Sequence, residues 1–364
     1  MKHASKLMLL AGLTPLLSNA AMADDSTVTI YGRIHADIEN TLAGAAGAAS
    51  TISMNKVAND LSRIGFKGSE DLGGGLKAGF ALTGGFDSAN GSQDVSNAAG
   101  AFFGREAKVT LGGSWGTVGA GLQFDPALIS MIGTEPRGLA DSFSNLQPVV
   151  VATLGNGAKA GTLTGGAFNE NSLTYTYSAN GLYAGLSHEL GGQANSSAYS
   201  GNSVGLSYTN SGFTGSLGYA GFNGATGATS SQYTVGGLGY AWGDYAVRGQ
   251  YGDFKSGYSA GVPATNVTSW GIGMDWKTNA ANKLNLSYYK MKDTGSAANG
   301  GGTTMLALLD TYQLSKRTTL FGQIASVNAD ANPGMTDLQI YAPGLATAAG
   351  GHTTVLGLGI NHSF

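Results

Sequence analysis

Few residues in this chain are of a type and spacing that could do chemistry, and most catalytic arrangements are missing. His35, His188, His352 and His362 stand in no H-E-x-x-H or H-x-x-x-H pattern able to hold zinc. The absence of cysteine removes thiol nucleophiles and thiolate metal sites. Gly155-Asn-Gly157-Ala-Lys159-Ala160 comes nearest to a phosphate-cradling loop. It lacks the G-K-[ST] ending, and among 60 glycines such a match arises by chance. A Ser-His-Asp set could be assembled only from distant residues, so hydrolysis is a minor alternative. Neither a cofactor nor a metal is expected.

What remains is charge at a spacing of two. Arg33 lies with His35 and Asp37, Arg63 with Lys67, Lys77 with Gly79 and Thr83, Lys108 with Glu106 and Thr110, and Arg248 with Ala246 and Gln250. Residues two apart share one face of a strand, so these sets would line one side of a sheet. Arg105 falls with Ala107, Val109 and Leu111, on the other parity unless a bulge re-aims it. Asp125, Glu135, Asp141 and Glu170 lie further on, with Arg137 among them. Opposed positive and negative groups across a narrow aqueous passage would set a transverse field that orients dipolar solutes and sorts ions by sign. Solvated rim charge is the plain alternative for each.

The elements that must position these groups read as strands. In Thr27 to Glu39, Val28, Ile30, Gly32, Ile34, Ala36 and Ile38 share one face, and Thr29, Tyr31, Arg33, His35, Asp37 and Glu39 the other. A sandwich strand would alternate in the same way, but ordinary strands run about 5 to 6 residues, and a tilted membrane strand needs roughly 9 to 11. Thr353 to Phe364 repeats the pattern and would be a bare apolar edge unless the first strand pairs with it, closing a barrel. Trp270, Ile272, Met274 and Trp276, then Leu284, Leu286 and Tyr288, then Phe213, Leu217 and Tyr219, supply faces suited to lipid with aromatics near segment ends. Asp310 breaks this rule, standing on the parity of Leu306, Leu308 and Tyr312; a bulge or a protein contact would account for it.

Residues 1–23 carry Lys2 and Lys6, an apolar run from Leu7 to Leu17, and Ala21-Met22-Ala23, which reads as a secretory leader too short to span a membrane. Its removal leaves 17 basic against 22 acidic residues over 24–364, too mild a balance to suggest a nucleic-acid partner. Charged residues make up 11% of the chain, yet beyond the leader no segment is a spanning helix, so apolar residues must be dispersed by alternation, as in an outer-membrane barrel.

Short turn signals recur at 70–75, 112–116, 179–181, 209–212, 242–244, 277–282 and 315–317, and longer polar, Gly-, Ala- and Ser-rich stretches that read as loops alternate with them at 41–59, 87–100, 191–201, 222–231, 252–266, 292–302 and 328–351. Seven hairpin tips imply fourteen strands, and the first and last make sixteen: an all-β transmembrane antiparallel barrel over 24–364, wide enough for an aqueous channel. A β-propeller would need a blade repeat of about 40 to 50 residues, which is missing. The stretch from Asp125 to about Asn169 is the longest connection, and a structureless run of about 40 residues is usually functional.

V-T-I-Y-G-R-I at 28–34, S-R-I-G-F-K-G-S-E-D-L-G-G-G-L-K-A-G-F at 62–80, F-G-R-E-A at 103–107, F-D-P-A at 124–127, N-S-L-T-Y at 171–175, L-S-K-R-T at 314–318 and the final H-S-F together resemble the general diffusion porins of Gram-negative outer membranes, of the β-proteobacterial type. The resemblance implies a homotrimer of 16-stranded barrels in outer-membrane lipid, each with its third extracellular loop folded inward. It implies passage of small hydrophilic solutes and ions, with Arg63 and Arg105 at the constriction and Phe364 as an assembly signal. Two departures weaken the anion preference it carries: Ala120-Gly121-Leu122-Gln123 replaces the usual L-G-R-Q, and Thr174 stands where an arginine is frequent. A substrate-selective porin and a surface adhesin remain the other readings.

Overall fold

In the computed structural model, residues 27–43, 50–54, 61–93, 101–140, 142–146, 167–194, 196–257, 265–295, 301–330 and 350–364 are described. Seventeen strands are assigned among them. They are β1 (Thr27–Ala43), β2 (Thr51–Met54), β3 (Ser62–Gly73), β4 (Leu76–Phe86), β5 (Glu106–Gly113) and β6 (Gly116–Phe124), then, after a short helix α1 (Pro126–Met131), β7 (Phe168–Ala179), β8 (Leu182–Glu189), β9 (Gly201–Asn210), β10 (Phe213–Asn223), β11 (Thr229–Trp242), β12 (Tyr245–Ser256), β13 (Thr265–Lys277), β14 (Asn282–Asp293), β15 (Gly302–Gln313), β16 (Thr318–Ala329) and β17 (His352–Ser363). β1 pairs antiparallel with both β2 and β3, each strand from β3 onward pairs antiparallel with the next, and β1 closes the ring on β17, from Arg33 opposite Ser363 to Ala43 opposite Thr353.

Seventeen assigned strands make sixteen barrel strands. β2 pairs with Ile38–Thr41 and β3 with Thr27–Arg33 along the same edge of β1, so the two are halves of one interrupted strand. The sequence reading places β2 in a loop. Its signal is only two alternating apolar residues, Ile52 and Met54, both exposed.

All seven short tips fall where the turn signals stand. The β3–β4 turn is Gly74–Gly75, the β7–β8 turn Asn180–Gly181 and the β11–β12 turn Gly243–Asp244; the glycines and Asn180 take the left-handed backbone region that favours glycine and asparagine. The strand ends that the long connections join lie on the opposite rim. Some of these connections are shorter than composition suggests: β12 continues to Ser256 and β10 to Asn223, because neighbouring strands satisfy these backbone groups whatever the side chains are.

Alternation sorts the two faces. Ile30, Ile34, Ile38, Leu217, Tyr219, Trp270, Ile272, Met274, Trp276 and Leu286 are exposed on the outside, as expected. Near the short-turn rim Tyr240, Trp242, Tyr245 and Trp276 form a continuous stack with ring centroids 5.8, 5.9 and 6.3 Å apart, the aromatic girdle of a bilayer interface. At Asp310 the β15–β16 register runs without a bulge. Its carboxylate instead accepts a hydrogen bond from Asn282 Nδ2 at 2.6 Å, three residues from the end of β15, where charge costs little.

Phe364 extends the closure. It exchanges both backbone hydrogen bonds with Gly32 at 3.1 Å, and its ring occupies the space a side chain at Gly32 would need.

Candidate functional site

The inner face divides into a basic sector and a sector covered by the chain after β6. Arg33 and Arg63 are directly opposed on β1 and β3, an arrangement of like charges that is unfavourable unless solvent or counter-ions answer it. Arg33 Nε donates to Ser363 Oγ at 3.4 Å. Lys67 lies over the ring of Tyr31, 5.1 Å from its centroid. The Tyr31 hydroxyl meets Thr83 Oγ1 at 2.7 Å, Thr83 reaches Glu106, and Glu106 pairs with Lys108 at 2.7 Å. Lys77 comes just after the β3–β4 turn on the same inner face. Arg33, Arg63, Lys67, Lys77 and Lys108 therefore share one stretch of wall, β1 and β3 to β5.

Arg105 stands just before β5 and escapes its parity. Its backbone N–H donates to Thr83 O, and its buried guanidinium stacks on Phe168 at 5.1 Å, with Phe124 4.4 Å from that ring. Val109 and Leu111 face outward as their parity requires. Arg248 also faces inward, but away from the basic sector and in an ion pair: Nη2 is 2.7 Å from Asp275, whose other oxygen accepts from Asn285.

The segment from Asp125 to Leu146 is seated on the wall of β8 to β16. Asp125 caps α1 by accepting from the backbone N–H groups of Ala127 and Leu128 and from the Ser203 hydroxyl on β9. Ser130 Oγ donates to Leu217 O at 3.0 Å, the Thr134 and Ser216 hydroxyls meet at 2.6 Å, Gln250 donates to Met131 O, and Asn285 donates to Pro136 O at 2.9 Å. Glycine on the inner parity makes room: a side chain at Gly205 would strike the Pro126 carbonyl, and one at Gly273 the Pro136 carbonyl.

Glu135 organises the second half of the segment. Its Oε2 accepts from the backbone N–H groups of Arg137 and Leu139 at 2.6 and 2.9 Å, and its Oε1 from Asn145 N at 3.1 Å and the Tyr289 hydroxyl at 2.6 Å. Arg137 Nη2 donates to Gln323, which donates to Glu39 on β1. Beneath the segment, Ala127, Leu128, Met131 and Phe143 pack on Phe222, Tyr233, Phe254, Tyr289 and Met305.

Three sequence expectations need correction. Asp125 and Glu135 are fully buried, and Arg137 is 7% exposed. They are anchors between segment and wall, not charges bare to an aqueous lumen: Asp125 and Glu135 collect the hydrogen bonds a buried charge requires, while Arg137 bonds Gln323 through Nη2 alone and lies over the Phe143 ring. Asp141 lies outside the described residues. The apolar inner wall is also unforeseen. Its inward parity in Tyr289–Met291 and Met305–Ala307 was the available signal, but an aqueous lumen predicts polar residues there. At the two departures from the porin motifs, Thr174 bonds Gln123 at 2.7 Å in a neutral network, and Leu122 is the residue skipped where the β6–β7 register shifts.

Burial pushes the Asp125 carboxyl up from its ordinary 3.8 to about 6, against hydrogen bonds that lower it. Protonation therefore favours the seated segment. Seating is strongest below about pH 4, weakens as pH rises through the interval to about 6, and is weakest above it, a span of about 3 kcal/mol at most. Amides 127–134 are expected to exchange hydrogen more slowly at pH 5 than at pH 7.5 after correction for intrinsic rates. Asp125→Asn, which keeps an acceptor without charge, is expected to remove the difference.

A closed barrel with long loops on one rim and a segment seated on its inner wall invites comparison with known proteins. A family model described as Gram-negative porin matches residues 8–332. The chain belongs to this family. Outer membrane porin protein 32 of Delftia acidovorans is 30% identical over 363 residues, covering 95% of this chain and 96% of its own length. An outer membrane porin protein of Bordetella pertussis is 27% identical over 406 residues, covering 99% and 100%. Among solved structures, an anion-selective porin from Comamonas acidovorans superposes with a TM-score of 0.78 at 24% identity, covering 93% of this chain and all of that one, which shows the shared fold. This porin is a passive diffusion channel for small hydrophilic solutes and ions in the bacterial outer membrane. Its short turns face the periplasm and its long loops the exterior.

Proposed function

We propose that this porin conducts without energy coupling or catalysis, that the seated segment narrows its lumen, and that the basic sector gives a lean toward anions. The observation that carries the reading is the pair Arg33 and Arg63 on one wall, while the loop acids Asp125 and Glu135 are buried in bonds of their own. The Comamonas acidovorans porin of the same fold is anion-selective by its description. Neutral Thr174 and Leu122 argue for a weaker lean than a fuller arginine set would give.

We read the working unit as a homotrimer. The outward faces of β16, β17 and β1 carry Leu320, Ile324, Leu356, Leu358, Ile360, Ile34 and Ile38 and no tyrosine or tryptophan, whereas the girdle is dense on β11 to β13. An aliphatic sector without an interfacial belt suits a neighbouring barrel better than headgroups. Residues 1–23, outside the described residues, act as an export leader in this reading, and Phe364 as an assembly signal. In planar bilayers the purified protein is expected to open ohmically in steps grouped by three. Single independent steps would exclude the trimer, and no conductance would exclude the channel.

A further inference from the structure

Below the paired arginines, at the periplasmic mouth, the inner wall of β1 and β3 to β6 is hollowed into a recess of about 630 Å³. Lys67, Lys77 and Lys108 line it, and no carboxylate does. The hollow follows from side-chain size. Across the ladder Lys67 opposes Ala81, and Ala81 opposes Lys108, so two lysines flank a methyl group three strands wide, about 10 Å apart at the backbone. The next inward row is Ser69, Gly79 and Thr110, and the one below it is Asp71, Lys77 and Gly112, with Asp71 directly across the ladder from Lys77. Long cationic side chains thus ring a floor of glycine, alanine and small hydroxyl residues.

The nearby acids are engaged elsewhere. Glu106 holds Lys108 at 2.7 Å and accepts from Thr83, and Asp71 accepts from the Gly73 backbone N–H at 2.8 Å within its own turn. Among the described residues Lys67 and Lys77 make no ion pair. Ammonium groups on flexible stems, with Thr29, Thr110 and Thr117 hydroxyls beside them, suit a compact doubly charged anion better than a single halide.

We propose that this recess is a docking subsite for solutes bearing a compact dianionic group, a phosphate ester or paired carboxylates, which detains them at the periplasmic mouth. It stands on the diffusion function but is separate from the arginine pair that sets the ion lean.

Inorganic phosphate at pH 8 is the probe, added to either side of oriented channels carrying chloride current. A saturable reduction of current is expected, half-complete at a lower phosphate concentration from the short-turn side. Lys77→Gln and Lys67→Gln are each expected to raise that concentration roughly tenfold, the worth of one charge-assisted hydrogen bond, while Lys77→Arg retains it. Succinate in place of phosphate distinguishes paired carboxylates from a phosphate group: saturation by either supports the subsite and names its preferred form. Linear dependence for both anions, or saturation unchanged in both glutamine variants, overturns it. Arg63→Ala is expected to leave the saturation intact, so failure of the anion lean and failure of the subsite are separable.

Discussion

Replacing Glu135 by alanine should open the channel. The carboxylate accepts three backbone N–H groups, from Arg137, Leu139 and Asn145, together with the Tyr289 hydroxyl. Each buried donor left without an acceptor costs about 1 to 3 kcal/mol, so the seated conformation of 135–145 loses several kcal/mol while the barrel, whose ladder is untouched, stays closed. The segment is expected to leave the wall and single-channel conductance to rise, with the folded barrel's migration on unheated gels unchanged. Glu135→Gln keeps one accepting oxygen and should fall between. Tyr289→Phe, which removes one bond of the four, should raise conductance least. Unaltered conductance in Glu135→Ala would show that the segment does not limit the passage.

Arg63→Ala should move the reversal potential toward cations. A unit charge about 8 Å from the ion path contributes about 0.5 kcal/mol in water, with opposite sign for anion and cation. Screening over a Debye length of about 8 Å at 0.15 M and about 30 Å at 0.01 M leaves roughly a twofold change in permeability ratio at the higher salt and roughly fourfold at the lower. Arg33→Ala, its cross-strand partner, should act alike. A shift independent of salt would point to a changed pore shape and not to charge.

Strand periodicity and turn chemistry were legible because lipid and water enforce them locally. Isoleucine at 30, 34 and 38 has one face to choose, and Asn180-Gly181 or Gly74-Gly75 has few backbone states to adopt. The basic sector was legible for the same reason, since an arginine on a regular strand is too costly on the lipid side. Arg105 shows where parity stops: one residue before the ladder begins, its direction is set by Phe168, sixty-three positions away in sequence. The loop acids were misjudged because charge at Asp125 and Glu135 says nothing of its partners. Ser203, Tyr289 and the glycines at 205 and 273 make those sites interior, and only the closed barrel brings them together.

The most direct measurement is the zero-current potential of the unmodified protein across a tenfold potassium chloride gradient, taken at low and at high mean salt. The basic wall predicts a potential of the sign given by chloride preference, larger at low salt and shrinking as screening sets in. A potential of the opposite sign at low salt, or one that is zero throughout, would contradict a passage governed by Arg33 and Arg63.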